Sequence, residues 1–328
     1  MHIFVDESGN FVTRPDGSSV GAVGALVMTE SQVEMFERRY AQLRPILPKH
    51  NGEVKGRLLG EADVARVVDC ARRSGLLYEV TAVDLLPEHD AAVAEHRNEQ
   101  CEGLTRHLTD RHKPELVAHI HALRARLETM TSQLYIQSVA TFDVLWRTLQ
   151  QATLYYSLRE PHALARFRWA IDAKSPNGPT NWEDWWSQVV KPMSQSRSLS
   201  EPFLQFEEGD YSHLPAKEIP IPEYLIDAVP RLEGKTGLTL ASAYNEIQFS
   251  ADPLPGLEVV DVLTNAVRRG LTGNLGERGW GGIAGIMIDR SAPTYVHAVG
   301  FGQESRAANE QATPVLRRLG RGGRSMLR

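Results

Sequence analysis

An apolar stretch that ends at a carboxylate recurs along this 328-residue chain, and no other feature restricts its fold as much. Asp6 closes Ile3-Phe4-Val5, Asp172 closes Trp169-Ala170-Ile171, and Asp261 follows Leu257-Glu258-Val259-Val260 in a helical stretch. Glu53 lies in Gly52-Glu53-Val54-Lys55-Gly56, just before another helix. Carboxylates are costly to bury beside apolar neighbours unless they share a cation. Four hard oxygen donors suit Mg²⁺ or Mn²⁺, and paired ions of that kind cut phosphodiesters.

The length allows one large domain or two ordinary ones, with ample core. Hydrophobic residues at 42% and charged residues at 23% place the chain among soluble globular proteins. A net charge of -5 gives no global basic field, which weakens a nucleic-acid reading. It does not remove it, because an acidic metal site is itself negative. Cys70 and Cys101 stand outside any CxxC context, arguing against a disulfide framework or zinc ribbon and for a reducing compartment. The first residues lack a basic n-region and an apolar h-region, and no apolar run is long enough to span a bilayer. The expectation is a cytoplasmic protein with no membrane partner.

Along the chain, residues 2–6 and 20–28 read as strands of a hairpin, and Ser31 reads as the cap of a helix carrying Val33, Phe36, Tyr40, Leu43 and Leu47. Residues 61–74 read as a helix stopped by Gly75, and residues 76–86 as a core strand. Residues 87–158, nearly free of Pro and Gly, predict two or more long helices broken near Pro114 and packed as an inserted or lid layer. A strand over 167–172, a helix over 181–190, strands within 203–207 and 238–249, and a helix over 256–269 follow. Residues 283–288 and 295–301 read as a terminal hairpin, and the last twelve residues, with five arginines, as a flexible basic tail. Strands first, then alternating helices and strands, indicate an α/β or α+β sheet with a helical insertion.

Each acidic residue also has a plainer reading. Asp6 beside Gly9 suits turn initiation, and Glu53 and Lys55 suit solvated loop charges. Asp172 is more telling, because its side chain leaves the carboxyl end of a strand, where open α/β sheets build their sites. Glu258, Asp261, Asn265 and Arg268 share one side of their helix, which fits a ligand face or a solvated one. His119 and His121, two apart on a helix, do not share a face and make a poor zinc site. Trp182, Trp185 and Trp186 fit core packing better than base stacking. The arginine-rich tail suits phosphate contacts or solubility alone.

Asp6-Glu7-Ser8-Gly9, Glu53-x-Lys55-Gly56, Asp172 and Gly256-Leu257-Glu258-x-x-Asp261 together resemble the bacterial family called domain of unknown function 3800, from residue 1 to about 270. The resemblance implies an α/β, ribonuclease H-like fold: a mixed central sheet flanked by helices, with a long helical insertion. The core then comprises residues 1–86 and 160–305, the insertion 87–159 and the basic tail 306–328. By the same resemblance Asp6, Glu53, Asp172 and Asp261 occupy the acidic positions that bind two Mg²⁺ or Mn²⁺ ions, with Asp6 bridging. One ion would activate water for in-line phosphodiester hydrolysis and the other stabilise the leaving oxygen. Lys55 would neutralise the scissile phosphate. The late helix departs from the family, which usually has Gln then Ala-Asp where this chain has Glu258 and Val260-Asp261. Glu258 is therefore either a fifth carboxylate or only a polar placeholder. The implied activity is a metal-dependent nuclease acting on DNA, RNA or a hybrid. The alternatives are a noncatalytic nucleic-acid-binding or scaffold component of a mobile-element or anti-phage defence system, and a hydrolase of small phosphorylated molecules. The helical insertion leaves room for self-association or a protein partner.

Overall fold

β1 (His2–Ser8) and β2 (Val20–Met28) form an antiparallel pair in register from His2 opposite Met28 to Ser8 opposite Ala22. In the computed structural model the described residues are all except 13–19, 86–88, 107, 174, 176, 177, 179, 202, 222–225, 227–232, 235, 240, 291, 302–311 and 328. Thr29, rather than Ser31, precedes α1 (Glu30–Leu43), and its backbone N–H donates to the Gln32 side chain at 2.9 Å. Two short strands, β3 (Lys49–His50) and β4 (Glu53–Val54), pair with each other before α2 (Glu61–Arg73) and β5 (Leu77–Asp84). Next come α3 (His89–Thr105), α4 (Pro114–Glu128), α5 (Ser132–Ser157), β6 (Arg168–Asp172) and α6 (Asn181–Ser200). β7 (Lys217–Pro220) and β8 (Thr236–Thr239) make a separate hairpin. β9 (Glu246–Ser250), α7 (Pro255–Leu271), α8 (Glu277–Trp280), β10 (His297–Val299) and α9 (Ala312–Arg318) complete the chain.

The central sheet has six strands in the order β10-β5-β2-β1-β6-β9. β2 runs antiparallel to both neighbours, while the β1–β6, β6–β9 and β5–β10 pairs are parallel. The fold is therefore α/β with a mixed sheet flanked by helices. The carboxyl ends of β1, β5, β6 and β9 emerge along one end of the sheet, which is what positions the site.

Alternation along the strands divides the core into two layers. Ile3, Val5, Val23, Ala25, Val27 and Val83 face a layer that includes α5. Ala22, Leu26, Met28, Tyr78 and Val80 face α1, α2 and α7. Gly256 lets the start of α7 lie on the sheet, since a Cβ there would sit 2.4 Å from the Phe4 ring. On the α5 side a buried polar cluster joins four elements, α5, β5, α6 and β10. Asp143 accepts from Thr81 Oγ1 at 2.7 Å, Arg147 Nε at 3.1 Å and an Arg197 guanidinium nitrogen at 2.9 Å. His297 Nδ1 lies 2.7 Å from the same carboxylate.

Several expectations are corrected. α5 is buried nearly all round and packs on β2 and β5, so it belongs to the sheet's second layer and is not a lid. The hairpin expected over 283–301 does not form. Ile283–Ile286 is a 3-10 turn, and β10 instead pairs parallel with β5. The apolar residues of that turn pack on the α2 side, and a short apolar run does not declare its secondary structure. No strand forms at 203–207 among the described residues; Phe203 meets Trp146 edge to face at 6.2 Å. The 238–249 stretch splits between two sheets around the turn Ala241–Tyr244. The described part of the tail is docked, with Leu319 fully buried and Arg324 donating to the carbonyl oxygen of Gly75 at 2.6 Å. Trp186 is buried as expected, whereas the side chains of Trp182 and Trp185 lie outside the described residues. Cys70 and Cys101 are free and buried. Among the described residues no helix is long and apolar enough to cross a membrane.

Candidate functional site

The site begins at the ends of two parallel strands. β1 and β6 are in register through Val5 opposite Ile171, so Asp6 and Asp172 are the next residues on each strand. Both fall on the face shared by Phe4 and Ala170, on strands about 4.8 Å apart. Asp6 is buried, and its Oδ1 accepts the Glu7 backbone N–H at 2.7 Å. It also lies near the Tyr78 hydroxyl, which is raised above its ordinary pKa first by burial and then by Asp6.

α7 supplies the opposing wall. Its polar side faces inward, which settles the choice between a solvated and a buried face: Glu258 is 4% exposed and Asn265 is 5% exposed. Asp261 Oδ2 accepts the backbone N–H of Gly56 at 2.8 Å, so the segment after β4 is stitched to the helix. A Cβ on Gly56 would lie 2.7 Å from Asn265 Cβ, so only glycine allows this approach. The same segment brings Glu53 and Lys55 to the site, where Lys55 Nζ meets Glu53 Oε2 at 2.7 Å.

The electrostatics show which groups converge. Burial opposes the Lys55 charge, but the hydrogen bond it donates to Glu53 and the fields of Asp172, Asp261 and Glu53 hold its pKa above the usual value. Asp172 is pushed up to about 6, first by burial and then by Asp261, Glu53 and Glu183, against the opposing field of Lys55. Asp261 is also raised, chiefly by burial, although Gly56 N–H, Lys55 and Arg57 favour its charge. Glu53, Lys55, Asp172 and Asp261 thus share one field, and strand register sets Asp6 on the strand beside Asp172.

Glu258 does not belong to this group. Its carboxylate accepts from Tyr40 Oη at 2.9 Å, from Arg44 Nε and a second Arg44 nitrogen at 2.8 Å, and from Val54 N–H at 2.9 Å. It ties α1 and β4 to α7. Replacing Glu258 with alanine should cost roughly 2–3 kcal/mol, because these donors lose their acceptor. Thermal unfolding should show that loss, while the number of divalent ions bound stays the same.

The donor set has the chemistry that Mg²⁺ and Mn²⁺ select, with oxygen ligands throughout. Among the described residues, however, no three His, Cys, Asp or Glu side chains stand as a ready-made coordination group. Lys55 stands among three of the carboxylates as their counter-ion. His119 and His121 are exposed on α4 and form no such group. A groove of about 440 Å³ lies elsewhere, toward the amino ends of β1, β6 and β9. It is lined by His2, Phe4, Phe36, Arg168, Glu246 and Leu254 among others. Sequence reasoning missed Glu183, a buried residue at the start of α6 whose charge reaches Asp172. The one available signal was its place three residues after Thr180, a capping-box spacing. No family model, curated protein or solved structure matches the chain.

Proposed function

We propose that this chain is a divalent-metal-dependent nuclease of ribonuclease H-like fold, with Asp6, Glu53, Asp172 and Asp261 as metal-binding carboxylates. The reading is carried by one observation: Asp172, at the end of β6, is lifted to about 6 first by burial and then by Asp261 and Glu53, which gather with it around Lys55. Carboxylates that repel one another in a partly buried site gain most from a multivalent cation. The mixed sheet, with acidic residues at neighbouring strand ends, accords with the resemblance to the domain of unknown function 3800 family.

Two Mg²⁺ or Mn²⁺ ions held by these residues would supply Lewis-acid activation of water and of the leaving oxygen. The chain's own groups do the rest. β1 and β6 fix Asp6 and Asp172 on rigid strands, and Gly56 N–H fixes the rotamer of Asp261. Lys55 keeps its proton under the fields of its neighbours and so presents a permanent positive charge to a phosphate oxygen.

A second reading, a noncatalytic nucleic-acid-binding or scaffold component, is favoured by the lack of a ready-made ligand group among the described residues. Incubation with labelled single-stranded, duplex and hybrid substrates in Mn²⁺ separates the two. The nuclease reading predicts cleavage of at least one substrate, abolished by EDTA. Binding without cleavage of any of them supports the scaffold.

A further inference from the structure

Among the described residues Arg268 has no acidic partner. Its Nε donates to Ser8 Oγ at 2.8 Å, and among the described residues no carboxylate forms an ion pair with its guanidinium. Burial and the neighbouring Arg269 both disfavour its charge. Ser8 Oγ also accepts from Asn265 Nδ2 at 3.1 Å. A hydroxyl has two acceptor lone pairs and one hydrogen. Both acceptor positions of Ser8 are used, so its hydrogen is left to donate. The Asn265 amide is nine-tenths buried, yet its Oδ1 has no partner. Gly9 completes the arrangement. Its φ of +111° and the 3.2 Å between its ideal Cβ and Arg268 Cδ leave room for the arginine stem only against glycine.

We infer that Arg268, held by Ser8 of the Asp6-Glu7-Ser8-Gly9 segment, is an anchor for a backbone phosphate flanking the scissile bond. A guanidinium takes phosphate oxygens two at a time through its planar fork, and the Ser8 hydroxyl adds a third donor. Arg268 lies seven residues beyond Asp261 on the same side of α7, about 10 Å along the helix axis. That separation from Asp261, with Ser8 about 7 Å beyond Asp6 along β1, places the anchored phosphate beside the carboxylates rather than among them, so the substrate carries at least two phosphates on one strand. The inference rests on the nuclease reading above and narrows it to a polynucleotide rather than a small phosphorylated molecule.

The test is the salt dependence of binding to a labelled single-stranded oligonucleotide in EDTA, for the wild type, Arg268→Gln and Arg268→Lys. Removing one phosphate contact lowers the slope of log K against log salt by about 0.7. Arg268→Gln should show that decrease with roughly tenfold weaker binding, and Arg268→Lys should restore the slope. An Arg268→Gln slope equal to wild type, a lysine variant behaving like the glutamine one, or a wild type that does not bind would each overturn the anchor. Cleavage in Mn²⁺ is then scored separately. If the slopes behave as stated but the wild type cuts nothing, the anchor stands and the nuclease reading falls. Cleavage with an unchanged Arg268→Gln slope does the reverse.

Discussion

Replacing Asp261 with asparagine is expected to reduce phosphodiester cleavage by about a thousandfold or more, roughly 4 kcal/mol of transition-state stabilisation. The substitution preserves shape, and the asparagine carbonyl can still accept the Gly56 N–H that Asp261 Oδ2 accepts at 2.8 Å. What it removes is the negative charge. Because Asp261 is raised by burial and by Glu53, its loss relieves repulsion in the folded protein and should leave thermal stability equal or slightly higher. Loss of cleavage with retained stability separates a ligand from a structural residue. Single-turnover cleavage and thermal unfolding of the same preparation measure the two effects. A variant that cuts at the wild-type rate would remove Asp261 from the chemistry.

Replacing Asp143 with alanine should give the largest loss of stability, about 3–5 kcal/mol, although Asp143 lies on the opposite face of the sheet from the site. Its carboxylate is 3% exposed and answers Thr81, Arg147, Arg197 and His297 together. Truncation leaves two guanidiniums and a hydroxyl without that acceptor in a partly dry environment. A fall in the melting temperature of roughly 5–7 °C would follow for a chain of this size. The pH dependence has a definite sign. Burial raises the Asp143 pKa, but His297, Arg147 and Thr81 more than offset it and hold the group well below the ordinary carboxylate range. Its contribution is therefore present above the unfolded value of about 3.9 and is lost as pH falls below it. The difference in stability between wild type and Asp143→Ala should shrink in acid.

The central elements were legible because their signals are local. The run Val20–Met28, the α2 stripe of Val64, Val67, Val68 and Ala71, and the apolar side of α7 each announce a buried surface through spacing alone. The carboxylates at the ends of β1 and β6 could be placed because a strand ending in a charge has few places to put it. What was not legible depends on pairing across the chain. Glu258 finds Tyr40 218 positions away, and Arg268 finds Ser8 260 positions away, so no pattern within either segment announces those roles. The composition of residues 87–158 is uniformly helical, yet only packing separates α5, which covers the sheet, from α3 and α4, which pack against each other. The failed terminal hairpin has the same origin, since Ile283 and Ile286 are apolar for the core beneath α2 rather than for a strand.

Titration calorimetry with Mn²⁺ at pH about 7.5 and about 5, on wild type and on Asp6→Asn and Asp172→Asn, tests the shared carboxylate site most directly. Without added ions, the raised Asp172 pKa makes the folded state less stable as pH climbs from about 4 to about 6. Ion binding should offset that loss only where the group is ionised. The account predicts tight binding by wild type at the higher pH, much weaker binding at the lower, and loss of binding in both variants. Equal Mn²⁺ heats from all three proteins at both pH values would contradict it.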